Sequence, residues 1–214
     1  MKTTMPITKA KIQNHFHYQV WKYLLLAVAC FFLWNLLYTS TSYRSPEDKK
    51  IEFYVDGYET EETSANMNAM LERIHAQVMP EMEEVTYTMM TVDETYGSMQ
   101  LMVWVAAGQG DVYLLLQDRF QSLAANGALL DLQPHVDSGA LDVQGLSLSA
   151  GHVRNESGQR VLYGIPTDAL RGLGDIIGLV DGSVLCVLGN SGNEEYAIRF
   201  LNDLLVQLGD RGTN

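Results

Sequence analysis

The most pronounced feature of the hydropathy pattern is an apolar block at residues 23–38, which reads YLLLAVACFFLWNLLY and holds no charged side chain. As a helix these residues cover about 24 Å, against a hydrocarbon core of about 30 Å, and the flanking residues complete a span. Trp21 and Tyr38 lie near its two ends, where aromatic rings favour the membrane interface. The pattern predicts one transmembrane anchor over residues 23–41.

Two other interpretations of this block stay open. It would be a buried core helix if other apolar segments covered it, although the residues before it offer little to pack against. It would be a cleaved signal if processing followed the sequence AVA that precedes Cys30, as at a lipoprotein site. Cleavage there would leave the apolar stretch FFLWNLLY at the new N-terminus, so we favour the uncleaved anchor.

Beyond a polar tether at residues 42–50, strand-like and helical patterns alternate. β-rich runs stand at residues 51–57, 84–92, 111–116, 161–168 and 183–189, and helical periodicity at about 60–83, 96–107, 118–126 and 194–208. This order predicts an α/β domain over residues 51–208, with a mostly parallel sheet flanked by helices and a short tail at 209–214. The segment at 96–107 is apolar on most sides, which predicts a well-buried helix, and the methionines at positions 67, 70, 99 and 102 are assigned to core packing.

Charge is distributed very unevenly along the chain. The first 22 residues carry four lysines and no acid, whereas residues 51–214 carry 24 acids and seven arginines, a net charge of −17. Because positive flanks favour the cytoplasmic side, we expect residues 1–22 inside the cell and the acidic domain outside. A domain this acidic is not expected to bind nucleic acid.

Candidate chemistry is sparse in this sequence. Cys30 lies in the apolar block and Cys186 in a strand-like run, so we expect no disulfide between them. The histidines lack the spacing of metal ligands, and the serines lack a nucleophile motif. We therefore predict no catalytic residue, no metal and no cofactor.

Polar and aromatic residues do follow the predicted strands, at the edge where open α/β sheets bind ligands. Tyrosine rings there would stack on a sugar or peptide, and carboxylates would accept hydrogen bonds from its hydroxyl or ammonium groups. The competing interpretation is that the Asp and Thr residues cap helices and the tyrosines cover the sheet edge. The candidate ligand-binding residues are Asp56, Tyr58, Asp93, Tyr96, Gln117, Asp118, Thr167 and Asp168.

Three segments resemble extracellular solute-binding proteins of the ABC-transporter type. Residues 106–136 are similar to the family's Gly-containing turn, Asp-Val strand and helix that ends in Gly before a leucine-x-leucine loop; here the last is Leu130-Asp131-Leu132. The run VLYGIPTD at 161–168 resembles its Tyr-Gly-Ile-Pro strand, and residues 190–205 resemble the helix that returns to the first lobe. The resemblance covers most of residues 51–208.

The resemblance implies one lobe of a periplasmic-binding-protein fold at a bacterial cell surface. Only about 15 residues lie between Asp168 and the strand at 183, where the family's second lobe would be inserted. We therefore expect a membrane-anchored, non-catalytic binding domain that acts through a membrane-protein or transporter partner or a shallow ligand surface. The alternative is a solute receptor subunit of an ABC-type importer, for a sugar or peptide, whose second wall comes from another subunit.

Overall fold

The computed structural model describes residues 9–41, 43, 45–90, 94–170, 173, 176 and 182–208, which fall into two compact units, Met1–Arg44 and Ser45–Asn214. In the first unit, helix α1 covers Lys9–Thr41. Its segment Val20–Thr41 is long and apolar enough to cross a membrane, and none of its apolar window is buried. A core helix would be buried, so the structure lends that alternative no support. Length and composition suit an anchor or a signal sequence alike.

The second unit alternates strands and helices. Its strands are β1 (Lys50–Asp56), β2 (Glu84–Met90), β3 (Val112–Leu116), β4 (His152–Arg154), β5 (Arg160–Leu162), β6 (Gly164–Pro166) and β7 (Ser183–Val187). Its helices are α2 (Glu61–Gln77), α3 (Glu94–Ala106), α4 (Gln117–Ala125), α5 (Gln133–Asp137) and α6 (Glu194–Leu208).

Among the described residues, five strands form one sheet in the order β2-β1-β3-β7-β6, and β4 pairs with β5 in a separate hairpin. β1 runs parallel to both β2 and β3, because helical crossovers join these strands. β7 runs antiparallel to β3 and β6 and lies between them. The predicted α/β fold is confirmed, and its sheet is parallel in one half and antiparallel in the other.

Alternating side chains of the sheet enter two separate apolar cores. On one face Phe53 packs on Phe200 of α6, with ring centroids 5.4 Å apart, and α2 covers the same face. On the other face Tyr54 stacks on Tyr113 at 5.0 Å, and α3 and α4 supply Leu101 and residues around Phe120. The sheet is therefore the middle layer of a three-layer domain.

Helix α2 begins where predicted and ends earlier. Thr60 and Thr63 form a capping box at its start, in which each side chain bonds to the other residue's backbone N–H. The sequence pattern extended this helix to about residue 83, whereas the structure ends it at Gln77. Pro80 follows closely and cannot continue a helix, because it lacks an N–H and its ring collides with the preceding turn.

Helix α3 contradicts the prediction of a well-buried helix. Leu101 is buried against the sheet, but Met99, Met102 and Val103 are 65%, 53% and 66% exposed. Assigning Met99 and Met102 to the core was therefore wrong, whereas Met67 and Met70 of α2 do lie in it. The helix covers an outer layer of the domain, so only one of its sides can contact the sheet.

The segment assigned to the tether is partly ordered on the domain. Glu47–Lys49 forms a 3₁₀ turn, and Lys50 already belongs to β1. The side-chain amide of Asn193 donates hydrogen bonds to the carbonyl oxygens of Glu47 at 2.6 Å and Lys50 at 2.9 Å. Both cysteines are free, with Cys30 exposed and Cys186 buried.

Candidate ligand-binding edge

The carboxyl ends of β1, β3 and β6 meet at one edge of the sheet, which we call the carboxyl edge. The register places Leu116 opposite Ser183, and Pro166 opposite Val184, so β7 begins where these strands end. The residues that follow Leu116 and Pro166 therefore join Asp56 at this edge. The topology thus groups most of the predicted ligand-binding residues, as expected from the sequence.

Asp56 forms a buried ion pair at the carboxyl edge. Its Oδ1 accepts a hydrogen bond from Nη1 of Arg119 at 2.8 Å, and its Oδ2 accepts one from the backbone N–H of Leu116 at 3.3 Å. Asp56 is 0% exposed and Arg119 is 6% exposed. Burial raises the pKa of Asp56, and the charge of Arg119 offsets only part of that rise.

Sequence reasoning missed Arg119. The only available signal was an arginine directly beside Phe120 on the inner side of α4, where an unpaired cation would be costly. The 63 residues that separate it from Asp56 gave no local indication of its partner. The pair is an internal structural contact, since neither charge faces open solvent.

Two further candidates at this edge are occupied by backbone contacts. The hydroxyl of Thr167 donates to the carbonyl oxygen of Ser183 at 2.9 Å, which ties the end of β6 to the start of β7. The amide of Gln117 donates to the carbonyl oxygen of Ala150 at 3.1 Å. Each of these two side chains therefore joins separate segments of the domain at this edge.

The remaining candidates form an exposed surface. Tyr58 and Tyr96 are 62% and 76% exposed, and Asp118 and Asp168 are also exposed. Asp118 accepts a hydrogen bond from the backbone N–H of its neighbour Arg119 at 2.8 Å. Asp93 lies outside the described residues. The carboxyl edge therefore offers rings and carboxylates on a surface, beside a groove of about 200 Å³ between α3 and α4.

The opposite edge of the sheet holds a second polar cluster that the sequence did not indicate. Asp111 accepts hydrogen bonds from the backbone N–H of Glu52 at 2.9 Å, the hydroxyl of Ser191 at 2.6 Å and the amide of Asn193 at 3.4 Å. Burial raises the pKa of Asp111, and these donors offset part of the rise. A cavity of about 480 Å³ lies beside this cluster.

Lys50 completes this second cluster with a charged contact. Its ammonium group lies 3.0 Å from Glu47 and 3.1 Å from Glu52. Burial acts to lower the pKa of Lys50, but the two carboxylates outweigh it and the net direction is upward. Across the described residues, no group of three or more His, Cys, Asp or Glu side chains is placed to hold a metal ion.

No protein-family model matches the chain, and no curated protein matches it. Solved structures of solute-binding proteins are similar to it over about half its length. A family 1 extracellular solute-binding protein from Alicyclobacillus acidocaldarius is 19% identical, with a TM-score of 0.43 over 58% of this chain and 28% of that one. The N-glycan transport solute-binding protein NgtS from Streptococcus pneumoniae is 16% identical, with a TM-score of 0.40 over 55% and 24%.

A third similar structure is the ABC substrate-binding protein Lmo0181 from Listeria monocytogenes, 19% identical with a TM-score of 0.40 over 55% of this chain and 28% of that one. This chain thus spans about a quarter of the length of the solved proteins it resembles. They belong to the class of protein that the sequence motifs resemble.

Proposed function

We propose that the chain is a single-pass membrane protein whose acidic domain lies outside the cell and binds a protein partner without catalysing a reaction. In this proposal residues 1–22 are cytoplasmic and residues 23–41 form the anchor. Residues 42–50 link the anchor to the domain, and Glu47 and Lys50 of this segment already accept hydrogen bonds from Asn193. The domain then extends to residue 208, followed by a short tail.

The observation that carries this proposal is the state of the carboxyl edge. Asp56 and Arg119 neutralise each other in the interior, and Thr167 and Gln117 bond to backbone carbonyls. A solute could form hydrogen bonds with these groups only after the bonds that they already make were broken. The free energy lost in that step would offset the free energy gained from the new hydrogen bonds. The edge is suited to structural support rather than to capturing a small molecule.

The connection between β6 and β7 supports the same proposal. It comprises residues 167–182, which is far too short to hold a second lobe. Small-molecule sites bury most of the ligand surface, and a single lobe has no opposing wall with which to do so. A protein partner needs no enclosed pocket, because flat surfaces bury area over many side chains.

Membrane attachment supplies the high effective concentration that a weak surface contact needs. A tether of at most nine residues confines the domain to the membrane surface, which raises its effective concentration toward other membrane proteins. The net charge of −17 over residues 51–214 also repels anionic lipid and nucleic acid, so neither competes for the domain.

A melting-temperature screen of the detergent-solubilised full chain tests this proposal. We expect maltose, maltopentaose, small peptides and divalent cations to leave the melting temperature of the domain unchanged. A specific ligand at 100 times its Kd would stabilise the domain by about 2.7 kcal/mol, which such a screen detects. Cross-linking in intact cells gives the complementary result, and recovery of the monomer alone would contradict the proposal.

The alternative function is a solute receptor subunit completed by another protein. The exposed ring of Tyr58 and the exposed carboxylates of Asp118 and Asp168 favour it, because aromatic rings and carboxylates together suit sugar recognition. One similar structure is described as a complex with cycloalternan, and another, from T. maritima, as maltose-bound. If a sugar does stabilise the chain, Tyr58→Ala should abolish that effect, and the control Tyr43→Ala, at another exposed tyrosine, should not.

A further inference from the structure

The hairpin formed by β4 and β5 carries two arginines on its outward face. Arg154 and Arg160 lie directly opposite each other in the antiparallel register, so their side chains leave the hairpin on the same side. Val153 and Val161 form the neighbouring pair and pack against one of the two apolar cores. Because successive residues of a strand point to opposite faces, both arginines point away from that core, and both are exposed.

These two arginines differ from the other described arginines of the domain in having no carboxylate partner. The other three each pair with a carboxylate: Arg73 with Asp203, Arg119 with Asp56, and Arg199 with Glu81 and Glu195. Glu156 is the only acid of residues 152–162, and it is exposed and pairs with neither arginine. Although residues 51–214 contain 24 acids, the described residues therefore leave this pair of charges uncompensated.

The hydrogen bonds of the two guanidinium groups leave most of their donors unused. Nη1 of Arg154 donates to the carbonyl oxygen of Gly158 at 3.0 Å, and Nη2 of Arg160 lies 3.5 Å from the carbonyl oxygen of Ser149. Each guanidinium has five N–H donors in a planar fork. The backbone contacts also limit the positions of both side chains, which lowers the entropy lost when they bind a ligand.

Folding of the hairpin does not account for the arginine pair. Like charges directly opposite each other on two antiparallel strands are destabilising, whereas opposite charges at the same two positions are stabilising. The pair therefore destabilises the chain by itself, and a bound anion would remove the repulsion.

We propose that Arg154 and Arg160 together bind a doubly charged phosphate group. Two guanidinium charges on adjacent strands require two negative charges between them, which a single carboxylate does not supply. A phosphate monoester carries a charge of about −1.5 to −2 at neutral pH and has three acceptor oxygens. The planar fork of arginine matches the spacing of those oxygens. This site goes beyond the proposed function and does not depend on the anchor.

The charge of the rest of the domain selects among the sources of phosphate. The net charge of −17 over residues 51–214 repels an anionic bilayer and polyanions such as nucleic acid. A small phosphate monoester is repelled far less, because salt at physiological concentration screens charges more than about 8 Å away. The proposed ligand is therefore a soluble phosphate monoester. Since the site is open to solvent, we expect a Kd on the order of 1 mM.

Arginine-selective labelling of the full chain in nanodiscs of neutral lipid tests the inference. Phenylglyoxal modifies exposed guanidinium groups, and mass spectrometry of peptides measures each arginine separately. At constant ionic strength, glycerol 3-phosphate at about ten times the expected Kd should slow the labelling of Arg154 and Arg160 about tenfold. The labelling rate of Arg199, which is partly exposed and already paired, should not change. Acetate, which carries one negative charge, should protect the pair much less.

Two variants separate a specific site from general electrostatics. Arg160→Gln and Val206→Glu each lower the net charge of the domain by one unit, and Val206 is exposed on α6. Arg160→Gln should remove the protection of Arg154, because one guanidinium no longer holds the phosphate, whereas Val206→Glu should retain it. Arg160→Gln should not lower the melting temperature, since it removes the repulsion between the two strands.

Four results would overturn the proposal. The first is equal protection of Arg154, Arg160 and Arg199, and the second is equal protection by acetate and glycerol 3-phosphate. The third is protection that arises only when phosphatidic acid is added to the nanodiscs, because the bound group would then be a lipid headgroup. The fourth is a clear fall in the melting temperature of Arg160→Gln, which would give the pair a structural role.

Discussion

Helices α3 and α6 cover opposite faces of the same sheet and differ in what they present to solvent. α6 buries Phe200, Leu201 and Leu204 and turns charged residues such as Arg199 outward, where it pairs with Glu195 at 3.3 Å. α3 buries Leu101 and turns Met99 and Val103 outward. Folding accounts for the apolar side of each helix, because burying it against the sheet stabilises the domain. The outer side of α3 makes no such contribution, because Met99 and Val103 are 65% and 66% exposed.

The largest effect should come from the buried side of α6. Phe200→Ala removes a fully buried ring that packs on Phe53, so we expect a loss of about 3–5 kcal/mol in the free energy of unfolding. The matched change on the exposed side of α3, Met99→Ala, should cost less than about 0.5 kcal/mol. Chemical denaturation of the two variants measures both values. A large loss for Met99→Ala would mean that Met99 belongs to the core after all.

Breaking the buried ion pair between Asp56 and Arg119 should lower the free energy of unfolding nearly as much. Arg119→Leu leaves Asp56 charged and unpaired in the interior, so we expect destabilisation by about 3–5 kcal/mol at neutral pH. The double variant Asp56→Leu with Arg119→Leu should recover most of that loss, because no unpaired charge remains. If the single variant were as stable as the parent, the pair would be available to a ligand and the account of this edge would be wrong.

The pH dependence of the same variant gives a further test with a defined sign. Burial raises the pKa of Asp56 above its ordinary value near 4. The Asp56 carboxyl group therefore binds a proton more tightly in the folded protein than in the unfolded chain. This tighter proton binding stabilises the folded protein fully at pH values below the ordinary pKa of Asp56. The stabilisation is lost as the pH rises through the raised pKa of the folded state. Removing Arg119 raises that pKa further. The cost of Arg119→Leu should therefore grow from acidic to neutral pH, and a cost independent of pH would contradict this origin.

A smaller effect is expected at the opposite edge of the sheet. Asn193→Ala removes the amide that bonds to the carbonyl oxygens of Glu47 and Lys50, so we expect a loss of about 1–3 kcal/mol. Asn190→Ala, an exposed asparagine in the same loop, is the control. Limited proteolysis between residues 42 and 50 should accelerate in the first variant only. Equal cleavage in both would show that Asn193 does not fix the start of the domain.

Local patterns were sufficient to predict most elements of the fold. The periodicity of α6 gave its bounds and its buried face, because five of its buried residues follow one helical stripe. The orientation of β7 was not predictable, since a short apolar strand carries no mark of its direction. The helix at 96–107 was mispredicted because apolar residues occupy both of its sides. Periodicity alone cannot distinguish a buried helix from one with an exposed apolar side.

The candidate site was predictable in position and not in detail. Open α/β sheets place their strand ends together, so Asp56, Gln117 and Thr167 were expected at one edge. Their partners depend on tertiary contacts across tens of residues, which no local spacing encodes: Arg119 for Asp56, Ala150 for Gln117, Ser183 for Thr167. Those contacts explain why the positions of these residues were predictable and their partners were not.

Labelling of single cysteines in intact cells tests the central claim most directly. A membrane-impermeant maleimide is applied to cells that express Val103→Cys or Val206→Cys in a Cys30→Ala background. A domain that lies outside the cell predicts rapid labelling at both positions, because each side chain is exposed. Labelling of either position only after the cells are permeabilised would contradict the account.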